Sequence, residues 1–171
     1  MSEGPAGGPD SRPEEPREQP ADPPPPDPEP EPAEPGEPAG TADTHQLYQR
    51  GLDLLGRGSP AAAAQLLQRA AAAEPRSRSI LEALARAQFD AGQYAAAASN
   101  FQLIVDASPT DDYAQFGLGL ALARTGDQRG AAEHLALAAA MRPNLRHYTD
   151  ALRSVRATLR ARRESSRGNA E

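Results

Sequence analysis

The chain has 171 residues, enough for one domain with a tail, and a net charge of −6 at neutral pH. It contains no cysteine, which excludes disulfides, thiolate metal sites and a cysteine nucleophile. No apolar run is long enough to cross a bilayer, and we expect no secretory leader because no basic segment precedes an apolar one. All 18 basic residues are arginine and alanine is abundant, which favours a bacterial source, and the absence of cysteine fits a cytoplasmic protein.

Residues 1–43 differ in composition from the rest of the chain. They hold 14 of the 18 prolines, and their 12 acidic residues and two arginines give a charge of −10, against +4 for residues 44–171. Proline has no N–H for a helix, and few large side chains are present to bury, so we predict a disordered tail. A solvated spacer is the favoured role, whereas electrostatic screening of the arginine-bearing part of the chain stays open.

From residue 44 onward, apolar residues recur at helical spacing, and turn signals interrupt them at regular intervals. This pattern predicts a domain over residues 44–163 with no strands, followed by a disordered tail over 164–171. The predicted helices are 44–57, 60–73, 78–91, 94–107, 111–125, 128–141 and 144–163.

Three residue types repeat with a period of about 34 residues, which indicates an array of one stacked supersecondary unit. Each glycine falls where the first helix of a pair must end, and glycine tolerates the left-handed closing conformation. The repeating positions are Gly58, Gly92 and Gly126; Ala63, Ala97 and Ala131; and Pro75, Pro109 and Pro143.

Short polar residues precede several predicted helices, where a side-chain oxygen accepts a hydrogen bond from a free backbone N–H. Ser59 is followed by Pro60, a residue suited to the first helical position, and Ser79 with Glu82 matches a capping box. The predicted caps are Ser59, Ser79 and Asp127, and Asp111 and Asp112 place negative charge at the positive end of another predicted helix.

These positions resemble the tetratricopeptide repeat family, whose repeating unit is a helical hairpin. The resemblance implies an all-α, helical-hairpin repeat solenoid of three pairs, residues 44–77, 78–111 and 112–145, with a C-terminal capping helix. The second repeat carries the pattern most fully, with Leu81, Leu84, Ala85, Gly92, Tyr94, Ala97, Phe101, Ile104 and Pro109.

The predicted capping helix over 144–163 has one apolar stripe, and arginines cover its other faces. The stripe consists of Leu145, Tyr148, Leu152, Val155 and Leu159. The basic face consists of Arg153, Arg156, Arg160, Arg162 and Arg163. A solvated face is favoured over binding to nucleic acid or an anionic membrane, since residues 44–171 carry only +4 and this helix has one aromatic residue.

In a repeat array of this kind, the first helix of each pair lines a concave groove, which the resemblance implies is the partner-binding surface. Four aromatic residues and two arginines fall among ten projected positions, and these residue types anchor protein interfaces. The candidates are Tyr48, Leu52, Leu55, Glu82, Arg86, Phe89, Tyr113, Phe116, Leu120 and Arg124. Packing between helices is the alternative role for each of them.

The resemblance also allows one kind of ligand to be argued against. Chaperone-binding relatives clamp a C-terminal carboxylate with lysine, asparagine and arginine. The corresponding positions here cannot form a charge-assisted hydrogen bond to a carboxylate, so an apolar peptide is the favoured ligand. These positions are Tyr48, Leu52, Ala83, Tyr113 and Gly117.

We therefore expect a non-enzymatic scaffold or adaptor that binds a peptide segment of another protein, with no cofactor and no metal. A small co-chaperone that holds a client segment is one alternative, and a regulator that contacts nucleic acid through its C-terminal arginines is a second. A homodimer also stays open. Catalysis has little support, because His45, His134 and His147 are isolated and no nucleophile motif is present.

Overall fold

The computed structural model describes residues 39–168, which form seven helices and no strand. The all-α prediction is confirmed. The helices are α1 (Ala39–Gly56), α2 (Pro60–Ala73), α3 (Arg78–Asp90), α4 (Tyr94–Ala107), α5 (Asp112–Thr125), α6 (Gln128–Met141) and α7 (Arg146–Gly168). Residues 1–38 and 169–171, which belong to the two segments predicted to be disordered, lie outside the described part of the chain.

Each helix packs on the helices before and after it, so that α1–α2, α3–α4 and α5–α6 form three hairpin pairs and α7 covers the last one. Within the described residues, α1 also contacts α3, α3 contacts α5, and α5 contacts α7, whereas α2, α4 and α6 do not contact one another. The first helices are thus closer together than the second helices. The array therefore curves with α1, α3 and α5 along its concave side.

The two ends of the helical array extend beyond the predicted bounds. Helix α1 already includes Ala39, whereas the sequence predicts its start at residue 44. Helix α7 continues to Gly168, so the prediction of a disordered tail from residue 164 is wrong for 164–168. Residues 164–167 include neither proline nor glycine, the two residues that disfavour a helix most.

The glycine prediction is confirmed at all three pair turns. Gly58, Gly92 and Gly126 have φ angles of 72°, 78° and 98°, in the left-handed region that a side chain with a Cβ rarely adopts. This conformation reverses the chain between the two helices of each pair. The turn position explains why glycine recurs once in every repeat.

The structure has two aspartate caps, of which Asp127 was predicted, whereas Asp111 was expected only to place negative charge at a helix end. Asp111 and Asp127 each accept a hydrogen bond at 3.0 Å, from the backbone N–H of Ala114 and Gly130. Ser59 forms no side-chain cap, although Pro60 does begin α2. The predicted capping box at Ser79 is wrong, because α3 begins one residue earlier and Ser79 lies inside it.

The core is organised around one large side chain in each pair, at the repeat-equivalent positions Leu67, Phe101 and Leu135. A Cβ on Gly51 would lie 2.5 Å from Leu67 Cγ, and one on Gly119 would lie 2.7 Å from Leu135 Cγ. These glycines allow the two helices of the first and third pairs to approach closely. The aligned position in the second pair is Ala85, which shares a buried cluster with Phe101.

Two glutamine side chains are buried at positions that are usually apolar in this kind of repeat, and both have hydrogen-bond partners. Gln88 accepts a hydrogen bond from Asn100 at 2.7 Å. Gln115 donates to the carbonyl of Pro109 at 2.9 Å, and its Oε1 lies 2.7 Å from His134 Nδ1. Because a buried amide without partners is costly, these contacts explain how the core accommodates both residues.

Candidate functional site

The concave side of the array contains two neighbouring pockets, which we call the polar pocket and the aromatic pocket. Nine of the ten groove candidates line one or both of them, and Arg124 is the exception. The polar pocket contains Tyr48, Leu52, Leu55, Glu82, Arg86 and Tyr113 from this set. The aromatic pocket contains Arg86, Phe89, Tyr113, Phe116 and Leu120.

The polar pocket lies between α1 and α3 and has a volume of about 220 Å³. Its charged side chains are Arg78, Glu82 and Arg86, with Tyr48 on the opposite helix. Arg78 lies 3.4 Å from the Glu82 carboxylate and donates from Nε to Asp111 at 2.6 Å. Two carboxylates therefore already pair with Arg78, which leaves Arg86 as the more available cation of this pocket.

The aromatic pocket lies between α3 and α5 and has a volume of about 190 Å³. Phe89, Phe101, Tyr113 and Phe116 form most of its wall, and Gly117 leaves space at its base. Arg86 and Asp90 also line it, and they approach each other to 3.9 Å. The pocket is therefore an apolar depression with a weak ion pair beside it.

Tyr113 lines both pockets and is 36% exposed, so its ring is accessible to a ligand along the groove. It packs edge-to-face against Phe101, with 6.2 Å between ring centroids. Burial of part of the side chain raises the pKa of the Tyr113 hydroxyl above 10.0, so the hydroxyl is neutral at physiological pH. An aromatic ring with a neutral hydroxyl can contact an apolar group and also form a hydrogen bond.

Phe116 has a larger packing role than its neighbour Tyr113. Its ring stacks on Tyr148 of α7, with a centroid separation of 4.3 Å and an interplanar angle of 20°. It also packs edge-to-face against His147 at 5.3 Å. Phe116 therefore attaches the capping helix to the array while one part of its ring faces the aromatic pocket.

Arg124 lies beyond the aromatic pocket, against two rings. Its guanidinium carbon is 5.7 Å from the ring centroid of Phe89 and 5.4 Å from that of Tyr94. One of its Nη atoms also donates to the Tyr94 hydroxyl at 3.1 Å. These cation–π contacts hold Arg124 in place, and they position Phe89 rather than add a wall to the pocket.

Several lining residues were not predicted from the sequence. Phe101 lies on α4, a second helix, and the projection of first-helix positions could not select it. Asp90 and Gly117 lie on first helices at positions outside the projected set. A usable signal was present, because Phe101 stands at the position that leucine occupies in the other two pairs.

The five positions aligned with a carboxylate clamp lie in this groove. Tyr48, Leu52, Ala83 and Tyr113 line the polar pocket, whereas Gly117 lies at the base of the aromatic pocket. None of these side chains carries a positive charge. The groove thus has an apolar and aromatic surface where a clamp would require cations.

The predicted basic face of α7 is not uniform. All five of its arginines are exposed, and Arg153 pairs with Asp150 at 2.7 Å. Arg162 and Arg163 also line a separate cleft near the turn between α5 and α6, whereas Arg156 and Arg160 do not. The groove and this cleft share no lining residue.

Two further observations concern metal-binding groups and membrane-spanning helices in residues 39–168. Histidine, aspartate and glutamate side chains in this range form no group of three that could hold a metal ion. No helix in the same range has an apolar stretch long enough to cross a membrane.

Solved structures with the same architecture include a domain bound to a peptide and a protein described as having a peptide-binding site. The first tetratricopeptide domain of Spaghetti (RPAP3), bound to the HSP90 peptide SRMEEVD, is 20% identical with a TM-score of 0.64, over 69% of this chain and 94% of that one. The Sgt2 domain from Aspergillus fumigatus is 24% identical with a TM-score of 0.64, over 80% and 90%. YrrB, described as having an unusual peptide-binding site, is 21% identical with a TM-score of 0.60, over 64% and 56%.

Sequence comparison leads to the family directly. No curated protein matches the chain. The family model described as tetratricopeptide repeat matches residues 48–112 and 83–146, which together cover more than half of the chain. The repeat period, the three hairpin pairs and these matches agree, and the chain belongs to the tetratricopeptide repeat family.

Proposed function

We propose that this protein is a non-enzymatic scaffold or adaptor that binds a peptide segment of a partner protein in the concave groove. Tetratricopeptide repeats are generally interaction modules, and the related Spaghetti domain holds a peptide. The likeness to that structure supports the fold, whereas the choice of ligand depends on the side chains of this groove.

The aromatic pocket is the observation that carries the proposal. A cavity of about 150 Å³ lined by apolar side chains is large enough for a benzene ring, and this pocket has about 190 Å³. One large apolar side chain of the peptide, such as phenylalanine, leucine or methionine, fits such a space. Its burial among Phe89, Phe101 and Tyr113 supplies the main apolar contact.

Polar groups beside the pocket suit the backbone of the same peptide. Arg86 and the Tyr113 hydroxyl can donate hydrogen bonds, and Glu82 can accept them. Their position between the two pockets favours an extended segment that runs along α3. A C-terminal carboxylate is a poor anchor here, because the clamp positions carry no cations.

A peptide-display selection with the full chain as bait tests the proposal. We expect enrichment of sequences with one large apolar residue, and Tyr113→Ala should weaken their binding by about tenfold or more, as truncation of an interface anchor does. Leu137→Ala is the matched control, because this leucine is 50% exposed on α6 and lines neither groove pocket.

Circular dichroism should show the same helicity for both variants and the wild type, and binding is measured well below the melting temperature of Tyr113→Ala, which loses its contact with Phe101. Tyr113→Ala is preferred to a Phe116 variant, since Phe116 also attaches α7 through Tyr148. Selected peptides without an apolar anchor, or equal binding to folded Tyr113→Ala, would contradict the proposal.

A further inference from the structure

A second concave feature lies between the last turns of α7 and the turn that joins α5 to α6. This cleft has a volume of about 470 Å³. Four arginines line it, Arg129 from the first turn of α6 and Arg162, Arg163 and Arg167 from α7. We call it the arginine cleft.

The extension of α7 is what assembles the cleft. Residues 162, 163 and 167 are separated by one and four positions, which places their side chains on one side of a helix. The sequence-predicted helix ends at residue 163, and the additional turn to Gly168 brings Arg167 to the same side. Leu159, one turn earlier, contributes an apolar side chain to the same cleft.

The charges in the cleft are unbalanced. Among the described residues, none of its four arginines forms an ion pair. Arg162 only approaches the Gly126 carbonyl at 3.4 Å. The one carboxylate in the lining belongs to Asp127, which already accepts the backbone N–H of Gly130.

Converging guanidinium groups are suited to oxyanions, because each presents several donors in a planar arrangement that matches a carboxylate or a phosphate. We propose that the arginine cleft binds a carboxylate-rich segment of a partner protein. This contact is independent of the peptide groove, with which the cleft shares no lining residue.

The surroundings favour carboxylates over the phosphates of nucleic acid. Within the described residues, no aromatic side chain lines the cleft on which a base could stack, and Tyr148 of α7 is 2% exposed. Asp127 and Glu164 interrupt the positive surface that a long phosphate backbone would follow. Leu159 provides apolar contact for side chains between the carboxylates of a peptide.

The test is fluorescence anisotropy with labelled decaglutamate as the probe, at low and at physiological salt. The full chain is measured beside a full-length variant in which the eleven acidic residues of 1–38 are replaced by their amides. This second protein ensures that the chain's own acidic residues do not compete with the probe.

Arg162→Gln with Arg163→Gln should weaken probe binding by about tenfold or more, because each charge-assisted hydrogen bond contributes substantially. The matched control is Arg156→Gln with Arg160→Gln, which removes the same charge from the same helix outside the cleft. We expect the control to weaken binding by about twofold or less.

Three results would overturn the proposal. The first is no binding by either full-length protein, and the second is equal weakening by the two double variants, which would indicate nonspecific attraction. The third is tighter binding of a labelled single-stranded DNA of equal charge that is lost in the cleft variant, which would assign the cleft to nucleic acid. Display results at the peptide groove are unaffected by each of these outcomes.

Discussion

At the junction between the second and third helix pairs, Phe101 fills the position that Leu67 and Leu135 fill at the junctions on either side. The residue that faces it on the following first helix also differs. Leu67 shares a buried cluster with Ala83, and Ala151 packs against the cluster of Leu135, whereas Phe101 meets Gly117. A Cβ on Gly117 would lie 2.6 Å from Phe101 Cε1.

The difference shows how a uniform array acquires one distinctive site. Inside its own pair, Phe101 has Ala85 as its small neighbour, where the leucines have glycine. Each large residue therefore lies between one glycine and one alanine, but the space left by glycine is on the opposite side in the middle pair. The Phe101 ring extends toward α5, and the aromatic pocket forms at this junction.

The same junction carries an additional polar connection. Asp111 caps α5 and also accepts a hydrogen bond from Arg78 of α3, and its side chain is only 6% exposed. The equivalent position one repeat earlier is Ser77, which forms no side-chain cap. The next equivalent position is Leu145, which has no hydrogen-bonding side chain.

Truncation of Phe101 should have the largest effect on the free energy of unfolding. Phe101→Ala removes a side chain that is 2% exposed, and we expect a loss of about 3–5 kcal/mol in unfolding free energy. Urea unfolding followed by circular dichroism measures it. Leu103→Ala on the same helix is the control, since a residue that is 53% exposed should change stability by less than about 0.5 kcal/mol.

Conversion of the middle junction to the flanking type should have an intermediate effect. Gly117→Ala places a Cβ against the buried Phe101 ring, and we expect a loss of about 1–2 kcal/mol, because strain exceeds the gain in helix propensity. Adding Phe101→Leu recreates the leucine–alanine pair of the neighbouring junctions. The double variant should be more stable than Gly117→Ala. If urea unfolding instead shows that the free-energy losses of the two single variants simply add, the two side chains are not coupled and this explanation of the junction is wrong.

Loss of the Asp111 hydrogen bonds should lower the free energy of unfolding by about as much as loss of a helix cap. Asp111→Ala leaves the N–H of Ala114 and the guanidinium of Arg78 without this partner, and we expect a loss of about 1–2 kcal/mol. Ser77→Ala at the preceding junction should change the melting temperature little, because Ser77 makes no cap hydrogen bond. Equal losses for the two variants would show that the middle junction gains nothing from Asp111.

The smallest expected effect is a change in the pH dependence of stability at the junction with α7. Burial and the hydrogen bond from the Tyr148 hydroxyl to Asp112 at 3.0 Å raise the pKa of Tyr148 from 10.0 to about 12. The folded state thus favours the neutral hydroxyl. This stabilisation is fully present below pH 10 and is lost as pH rises through about 12.

Thermal unfolding between pH 9 and 12 measures this dependence. Tyr148→Phe retains the stacked ring but has no hydroxyl to ionise, so its stability should decline less over this range than that of the wild type. Absorbance titration of the tyrosines should also lose a transition near pH 12. Parallel declines in the two proteins would assign the alkaline instability to other groups.

Much of the fold could be predicted from the sequence because the same turn signals recur in each repeat. A single glycine turn is ambiguous, but glycine at 58, 92 and 126 together with proline at 75, 109 and 143 defines both helices of every pair. The serine caps were predicted wrongly for a local reason. A hydroxyl before a helix bonds to the backbone only in some conformations, and Ser59 does not form that bond, whereas Ser79 lies inside α3 rather than before it.

The groove was less predictable than the fold. Repeat register selects the positions that face the concave side, and nine of the ten side chains chosen in this way line the two pockets. It does not report how far a second-helix side chain reaches, so Phe101 was missed. The arginine cleft depends on one extra turn of α7 and on a distant turn of the chain, which no local pattern connects.

The sequential packing of the helices also bears on how the protein opens. In the described part of the chain, α1 has contacts only with α2 and α3, and α7 only with α5 and α6. A terminal helix can therefore detach without disrupting the opposite end, as in other arrays with nearest-neighbour interfaces. Hydrogen exchange should be slowest in α3, α4 and α5 and faster toward both ends, so the aromatic pocket would be the last part of the groove to lose its shape.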